Sequence, residues 1–428
     1  MFIIYDLIFL LSAVFFIPFY LFKRKFHPGF SRRLGVLPKD LNLGRPIWIH
    51  AVSVGEAASL RKLLAELRLS YPDKKYVLST VTPTGNKIFK GLAGQDDLVT
   101  YLPLDIGFIV KKVIDKVNPA LFIIAETEIW PNLISYLAKK NIPILTANGR
   151  ISDSSFGGYR LIKFLSKPIL NKINLFCLQS ERDAQRLSAL GVAQDKIKVT
   201  GNMKFDAVIL ASEQGKGIKN KLGLAVQDRL LVAASTHPGE EEMILGAYQG
   251  LIKKNPHLKL LIAPRHPERA SAVSELVEKL GFTAVRISLF NLKPETRDPR
   301  TENRDPRTVF ILDTIGELIN YYAIADIVFV GGSLVQTGGH NILEPAALDK
   351  PVIFGPYMFN FRDIADLFLI NKAAILVRDT QELREGIESL LGNHSLADSL
   401  VRNARKIITE NRGATRKNLE QILILYRN

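Results

Sequence analysis

The stretch Val328–Ala347 reads V-F-V-G-G-S-L-V-Q-T-G-G-H-N-I-L-E-P-A-A, and its order decides the fold class. Ile327, Val328, Phe329 and Val330 form an unbroken apolar run, as in a parallel strand covered on both faces. Gly331-Gly332-Ser333 breaks the strand, and Gly338-Gly339 makes a second tight turn. His340 and Asn341 then lead into a helix whose first turn carries Glu344 and Pro345, where proline is well tolerated because its missing N–H would have no intrahelical partner. A strand, two glycine turns and a helix N-terminus make a cradle for an anion or a sugar nucleotide, since free N–H groups and the positive helix end point into it. Glu344 is then a candidate acceptor for ribose or sugar hydroxyls. The plainer reading is an ordinary strand-to-helix turn of an α/β domain.

The same grammar repeats outward through the second half. Leu230–Ala234 is a strand ending in Ser235-Thr-His237-Pro-Gly-Glu240, and Leu258–Ala263 is a strand ending in Pro264-Arg265-His266-Pro-Glu268-Arg269. A guanidinium leaving a strand end, such as Arg265, can fork onto a phosphate, with surface ion pairing as the alternative. Thr308–Leu312 ends in Asp313-Thr-Ile315-Gly316-Glu317, and Pro351–Phe354 is a further strand. A basic helix pattern covers Ser399–Ile424. One segment breaks the pattern: Arg297-Asp-Pro-Arg-Thr301 recurs as Arg304-Asp-Pro-Arg-Thr308. Polar, repetitive and proline-bearing, it is expected to be a mobile surface loop without a catalytic role.

Strand and helix alternate in the first half too. Pro46–Val54, Lys75–Thr80, Val99–Pro103, Ala120–Ala125 and Ile142–Ala147 read as strands separated by helical spacings, which implies a doubly wound parallel sheet. Three strand ends carry polar clusters: Ser53 with Glu56, Glu126 with Glu128, and Asn148 with Arg150 and Ser152. In such a sheet these ends converge on one crevice, where open α/β sheets bind ligands. Glu56 sits at a strand-to-helix junction, either as a partner of the helix dipole or as a general base. In the second role the helix N-terminus is expected to lower its pKa, leaving it ionised at neutral pH. Lys204 follows a strand-like I-K-V-T-G-N and carries no local signal of its own. His50, His237, His266 and His340 flank strand ends, as ligand donors or as structural hydrogen-bond partners.

A chain of 428 residues, 47% hydrophobic, is long enough for two cores. The net charge of +15 points to an anionic partner. The basic residues are scattered and no nucleic-acid motif is present, so nucleic acid ranks last among such partners. The single cysteine, Cys177, lies in an apolar run and reads as core, so no disulfide can form within the chain and a reducing compartment fits. The histidines show no metal-binding spacing and there is no D-x-D, so no metal or other cofactor is expected. Phe2–Phe22 is almost wholly apolar, interrupted by Asp6 and Pro18 and followed by Lys23-Arg24-Lys25, Arg32 and Arg33. A span needs roughly 20 residues, which this stretch supplies if Asp6 lies near the outer interface. The basic flank then places the rest of the chain on the cytoplasmic side, with a helix lying in the interface as the alternative. No cleavage site follows, so a removed signal peptide does not fit.

Several motifs together resemble one family. His50-Ala-Val-Ser-Val-Gly-Glu56-Ala, Glu126-Thr-Glu-Ile-Trp-Pro131-Asn, Asn148-Gly-Arg-Ile-Ser152 and Thr200-Gly-Asn-Met-Lys204-Phe-Asp206 look like successive motifs of 3-deoxy-D-manno-octulosonic acid (Kdo) transferases, as does Arg33-Leu-Gly35. S-T-H-P-G-E, P-R-H-P-E-R and D-T-I-G-E-L match that family's pattern in the second half, and Val328–Ala347 resembles the donor-nucleotide motif of two-domain (GT-B) glycosyltransferases. The resemblance covers essentially the whole chain. It implies two doubly wound Rossmann-like domains facing a cleft, behind an N-terminal single-pass membrane helix. The expected divisions are an anchor (1–23), an acceptor-binding domain carrying the general base (24–206), a linker (207–228), a CMP-sugar donor domain (229–405) and a C-terminal helix (406–428) packing back on the first domain. The implied activity is metal-independent, inverting transfer of Kdo from CMP-Kdo to a lipid A precursor of the lipid IVA type, at the cytoplasmic face of the inner membrane in lipopolysaccharide biosynthesis. By the resemblance Glu56 is the general base, Glu126 and Lys204 stabilise the transition state, and Pro264, Arg265, Ile315, Gly316, Glu317, Asn341, Ile342, Leu343 and Glu344 bind CMP-Kdo. A nucleotide-sugar epimerase can share the fold but needs no lipid acceptor. An inert membrane scaffold would have no use for the acidic residues and lysine in these motifs.

Overall fold

The computed structural model describes residues 5–7, 11, 29–207, 217–290 and 305–427. The chain divides into two compact units, residues 1–207 with 411–428, and residues 208–410.

The amino-terminal unit holds seven strands: β1 (Ile47–His50), β2 (Tyr76–Thr80), β3 (Leu98–Tyr101), β4 (Leu121–Ala125), β5 (Ile144–Gly149), β6 (Leu175–Leu178) and β7 (Ile197–Val199). They form one parallel sheet in the order β3-β2-β1-β4-β5-β6-β7. The continuous apolar runs follow from burial on both faces. In β4, Leu121, Ile123 and Ala125 enter one core, with Ile47 and Ile49 of β1. Phe122 and Ile124 enter the opposite core, where Trp48 meets Phe122 edge-on at 5.1 Å. A core aromatic of this kind contributes about 3–5 kcal/mol against truncation to alanine. Cys177 is buried in β6, and burial pushes its thiol up to about 12.

The carboxy-terminal unit repeats the plan with β8 (Arg229–Thr236), β9 (Leu258–Pro264), β10 (Thr283–Arg286), β11 (Thr308–Ile311), β12 (Ile327–Val330), β13 (Val352–Phe354) and β14 (Ile375–Leu376). The order is β10-β11-β9-β8-β12-β13-β14, again parallel throughout. The sequence reading has no strand at β10 or β14. Both lie at sheet edges, half-buried at best, so neither carries the apolar run that marks a covered strand.

In each sheet the chain starts in the middle, runs to one edge and returns to the other side of its first strand. The reversal lies between β1 and β4 in the first unit and between β8 and β12 in the second. Helices leave adjacent strand ends in opposite directions there, which opens a crevice at the carboxyl edge.

The C-terminal pattern read as one helix is two. Helix His394–Asn411 ends before Gly413, whose φ of +93° turns the chain into helix Ala414–Arg427. That last helix belongs to the amino-terminal unit. The Asp206 carboxylate accepts from the N–H groups of Gly413 (2.8 Å) and Thr415 (2.6 Å) at its start. Asn418 donates to Thr200 Oγ1 (2.9 Å) and accepts from Asn148 N–H (3.2 Å), and the Tyr426 ring meets Tyr71 at 4.9 Å.

Within the expected linker, helix Ile218–Lys221 is described and residues 208–216 lie outside the described residues. The repeat up to residue 304 also lies outside them. Its end is tied down: Tyr248 donates its hydroxyl to Pro306 O (2.8 Å) and Lys259 Nζ donates to Asp305 O (3.1 Å).

Among the described residues no helix is long and apolar enough to cross a membrane. Most of Phe2–Phe22 lies outside the described residues, but Asp6 is described. Its carboxylate accepts from Gly107 N–H (3.2 Å) and from Asn132 Nδ2 (2.6 Å), both in the amino-terminal unit.

Candidate active site

Glu56 stands where the first sheet reverses. β1 ends at His50, and Ser53 caps the short helix Val54–Ser59, accepting from Glu56 N–H at 3.3 Å. The Glu56 carboxyl folds back on this turn. Val52 N–H donates to Oε2 (2.7 Å) and Ser53 Oγ to Oε1 (2.8 Å). Glu56 is only 9% exposed. Burial, followed by the charge of Glu126, raises its pKa from an ordinary 4.5 to about 7, against the two hydrogen bonds that lower it. This corrects the expectation of a carboxylate depressed by the helix N-terminus. A two-turn helix end with two local donors does not offset removal from water beside a second acid.

Glu126 follows β4 directly, with its N–H donating to Ala147 O (2.9 Å) and its backbone at φ +57°, a conformation disfavoured for a side chain with Cβ. That turn brings its carboxylate to 3.8 Å from Lys204 Nζ. Glu128 is also raised, first by burial and then by the charge of Glu126. Lys204 is positioned from afar. Asn202 Oδ1 accepts from Lys204 N–H (3.0 Å), and Asn148 Oδ1 accepts from Met203 N–H (2.8 Å). Asn148 is held in turn by Asn418 on the last helix. The segment Thr200–Asp206 is therefore a clasp between the sheet edge and that helix, and it presents the lysine. Arg150 N–H donates to Thr127 Oγ1 (3.1 Å), which joins the β4 and β5 ends. Glu56, Glu126, Glu128 and Lys204, dispersed over the sequence, thus share one edge.

His50 is enclosed at the end of β1. It is fully buried, its Nδ1 lies 3.0 Å from Ser79, and burial depresses its pKa to about 3.

At the reversal of the second sheet the strand ends come very close. A Cβ on Gly331 would lie 2.7 Å from Ser235 O and 2.8 Å from Thr236 Cα, so only glycine fits. The turn after it is a nest of N–H groups, and it is already filled. Glu240, fully buried, accepts from Gly332 (2.6 Å), Ser333 (2.9 Å), Leu334 (2.8 Å) and His237 (3.1 Å). The first of the two glycine turns expected to form the anion cradle is thus satisfied by a side chain of the same unit, 92 residues earlier.

Further polar groups lie around that knot. His237 and His340 stack with planes 6° apart and their Nε2 atoms 2.9 Å apart. Burial lowers both, His340 to about 4, so two neutral rings share one proton-mediated contact. Arg265, exposed at the end of β9, acts electrostatically on His340 and Glu344 and has no ion-pair partner among the described residues. Glu344 accepts from Asn341 Nδ2 (3.1 Å), and burial raises its pKa. Ile315 and Gly316 form an exposed turn in which Thr314 Oγ1 donates to Glu317. Ile342 and Leu343 are in the core, fully buried. Their side chains cannot touch a ligand, and Leu343 N–H is engaged by Asn341 Oδ1 (3.1 Å).

Residues 28–207 match the family model described as 3-deoxy-D-manno-octulosonic-acid transferase (kdotransferase), and residues 300–407 match that of glycosyl transferases group 1. The 3-deoxy-D-manno-octulosonic acid transferase of Haemophilus influenzae is 38% identical over 376 residues, 87% of this chain and 86% of that protein. The chain belongs to the Kdo transferase family.

Among solved structures, a putative UDP-N-acetylglucosamine 2-epimerase from Listeria monocytogenes superposes with TM-score 0.58 at 13% identity, over 89% of this chain and 95% of that one. A glycosyltransferase from Rickettsia africae gives TM-score 0.54 at 19% identity, over 90% of this chain and 98% of that one. Both likenesses concern the two-unit Rossmann-like fold, of the GT-B type. Seen from within the family, the motif residues divide in two. Glu56, Glu126, Lys204, Arg265 and Glu344 present functional groups at the two carboxyl edges. Asn148, Asp206 and Glu240, quoted in the same motifs, hold the backbone that places them. Asn418 was missed entirely, since an asparagine in a basic helix carries no local signal.

Proposed function

We propose that this protein transfers Kdo from CMP-Kdo to a lipid A precursor of the lipid IVA type, with inversion at the anomeric carbon. The observation that supports it most is Glu56, whose carboxyl is held near pH 7 at the sheet reversal beside Glu126 and Lys204. A sugar hydroxyl is a poor nucleophile until a base takes its proton, and a base is most effective when its pKa lies near the working pH. In this reading the acceptor oxygen bonds to the anomeric carbon and its proton passes to Glu56. The bond from that carbon to the CMP phosphate breaks, and its electron pair leaves with the phosphate. Lys204, steadied by Glu126, offsets charge that develops in the transition state. In the carboxy-terminal unit Arg265 meets the CMP phosphate, and Glu344 with the exposed Ile315–Glu317 turn meets the nucleoside. Pro264, Asn341, Ile342 and Leu343 act through backbone placement.

We also infer that the enzyme works at a membrane surface, from the apolar Phe2–Phe22 and the basic residues after it. The test is transfer of labelled Kdo from CMP-Kdo to lipid IVA, with CMP release followed in parallel, for the wild type and Glu56→Gln. Transfer by the wild type that falls about 10²–10⁴-fold in a folded Glu56→Gln supports the reading and the base. A wild type inactive on verified substrates overturns the activity. A fully active Glu56→Gln overturns the role of Glu56 and moves the test to Glu128.

A further inference from the structure

Two histidines at the reversal of the second sheet form a pair that no step above uses. His237 follows β8, and His340 follows the Gly338-Gly339 turn, 103 residues later. The Glu240 knot fixes both backbones. Glu240 accepts from His237 N–H (3.1 Å) and Gly332 N–H (2.6 Å), and Gly332 O accepts from Gly339 N–H (2.7 Å). The His340 ring lies against Gly332, where a Cβ would come within 3.0 Å of its Cδ2 and 3.1 Å of its Nε2. The rings are therefore held with planes 6° apart and Nε2 atoms 2.9 Å apart.

This contact sets the proton count. Two ring nitrogens form a hydrogen bond only when one carries a proton and the other does not. The donor ring then has a bare Nδ1. The acceptor ring, neutral with a bare Nε2, carries its proton on Nδ1. Among the described residues neither Nδ1 has a hydrogen-bond partner. The neutral pair thus offers one donor and one acceptor. One further proton, added to the bare Nδ1, makes both Nδ1 atoms donors and leaves the ring-to-ring bond intact.

The protein's own charges keep that proton off. Those acting on the pair are Arg265, His266 and Arg269, after β9, and Glu241 on helix Glu240–Ile252. The neighbouring acids are engaged elsewhere: Glu241 with Arg269 (2.8 Å) and Thr236 Oγ1 (2.8 Å), Glu240 with its four N–H groups, and Glu344 with Asn341 (3.1 Å). Burial and then Arg265 hold His340 down at about 4. An anion beside Arg265 reverses this balance. Inside a protein, a unit charge about 4 Å away changes a proton's binding constant by roughly 10³-fold, and a dianion by about the square of that. The phosphate of a CMP-sugar is a diester with a single charge. Once its bond to the sugar breaks it is a monoester, whose second pKa of about 6 gives it a second charge at neutral pH.

We propose that the His237–His340 pair takes up one proton from solvent as the phosphate beside Arg265 becomes a monoester dianion, and so matches the charge of the departing CMP. The protonated pair gives that phosphate two Nδ1–H donors, where the neutral pair gives the diester one. The pair thereby separates product from donor, and it holds CMP more weakly as pH rises.

This role rests on the donor reading proposed above, and the test separates the two. CMP is titrated calorimetrically into the purified full chain in buffers of different ionisation enthalpy, and the phosphorus NMR shift of bound CMP is recorded alongside. At about pH 7 the wild type should take up more than roughly half a proton per dianionic CMP bound, and its CMP affinity should fall several-fold by about pH 8.5. His237→Gln and His340→Gln, each with an unchanged near-UV spectrum, should lose the uptake and flatten that dependence, while His266→Gln keeps both. Cytidine methyl phosphate, which stays a monoanion, should bind the wild type without uptake. CMP bound by the wild type without uptake, or uptake that persists in both pair variants, overturns the proposal and leaves the donor reading standing. A bound CMP whose phosphorus shift is that of the monoanion also overturns it, because the ligand then carries the proton itself. A wild type that does not bind CMP overturns both.

Discussion

Each sheet places a buried glutamate where its strand order reverses, and the two have opposite fates. Glu56 follows β1 and receives one backbone N–H and one hydroxyl. Glu240 follows β8 and receives four backbone N–H groups, three of them from the turn after β12. Burial raises both. For Glu240 the donors saturate the carboxylate and make it a structural anion that ties two strand ends together. For Glu56 the donors are too few, a second acid stands nearby, and the group is left poised between charge states. Topology supplies the position, and the number of N–H groups aimed at the carboxylate separates a saturated acid from a poised one.

That contrast can be broken in several ways. The largest effect should come from Glu56→Gln, a loss of roughly 10²–10⁴-fold in transfer rate with the fold intact. A comparable loss in Glu240→Gln without any loss of stability would erase the distinction. Next, Glu240→Ala strands four backbone donors in the core and should cost about 3–5 kcal/mol in urea unfolding of the carboxy-terminal unit. Glu56→Ala should cost far less. If the two costs are equal, the saturation argument fails.

The poised acid also has a pH signature. The fold holds a proton on Glu56 between its ordinary 4.5 and about 7, so the native state binds more protons than the unfolded chain in that window. The stability due to this group is therefore full below 4.5 and lost as pH rises through about 7. Glu56→Gln should then be more stable than the wild type at pH 8, by on the order of 1–3 kcal/mol, with the gain vanishing near pH 5. The kcat/KM of the wild type should rise along a limb inflecting near 7 that Glu56→Gln lacks. A flat limb would detach Glu56 from the chemistry.

Two smaller effects probe the supports. Asn418→Ala removes a link between β5, Thr200 and the last helix and should cost about 1–2 kcal/mol. It should also lower transfer through misplacement of Lys204, while an active, merely less stable variant would make the clasp purely structural. Smallest of all, Glu126→Gly relieves the positive φ and should change stability by about 1 kcal/mol or less in the favourable direction. Its transfer rate should still fall, because the carboxylate beside Lys204 is gone.

Much of this was legible in residues. Ala120–Ala125 announced a doubly covered strand and Glu56 a place at a strand-to-helix junction, and the motif series pointed to the family. What misled was local reasoning about electrostatics. Glu56 was read from its own helix end, although Glu126 is 70 residues away in sequence. The first glycine turn, Gly331-Gly332-Ser333, was counted in the cradle because Glu240, which fills it, belongs to another strand end.

The sequence by itself determined the covered strands at the heart of the two parallel sheets, because side-chain burial on both faces of a strand is written as a contiguous apolar run, which the edge strands β10 and β14 lack. It also determined which acids and bases stand at strand ends. Only the tertiary structure decided which strand ends adjoin, and therefore which carboxylate is saturated by N–H groups and which is left short. It also fastened Asp6 to Gly107 and Asn418 to Thr200. Those choices depend on strand order and register, which set distances between residues that chain separation does not constrain.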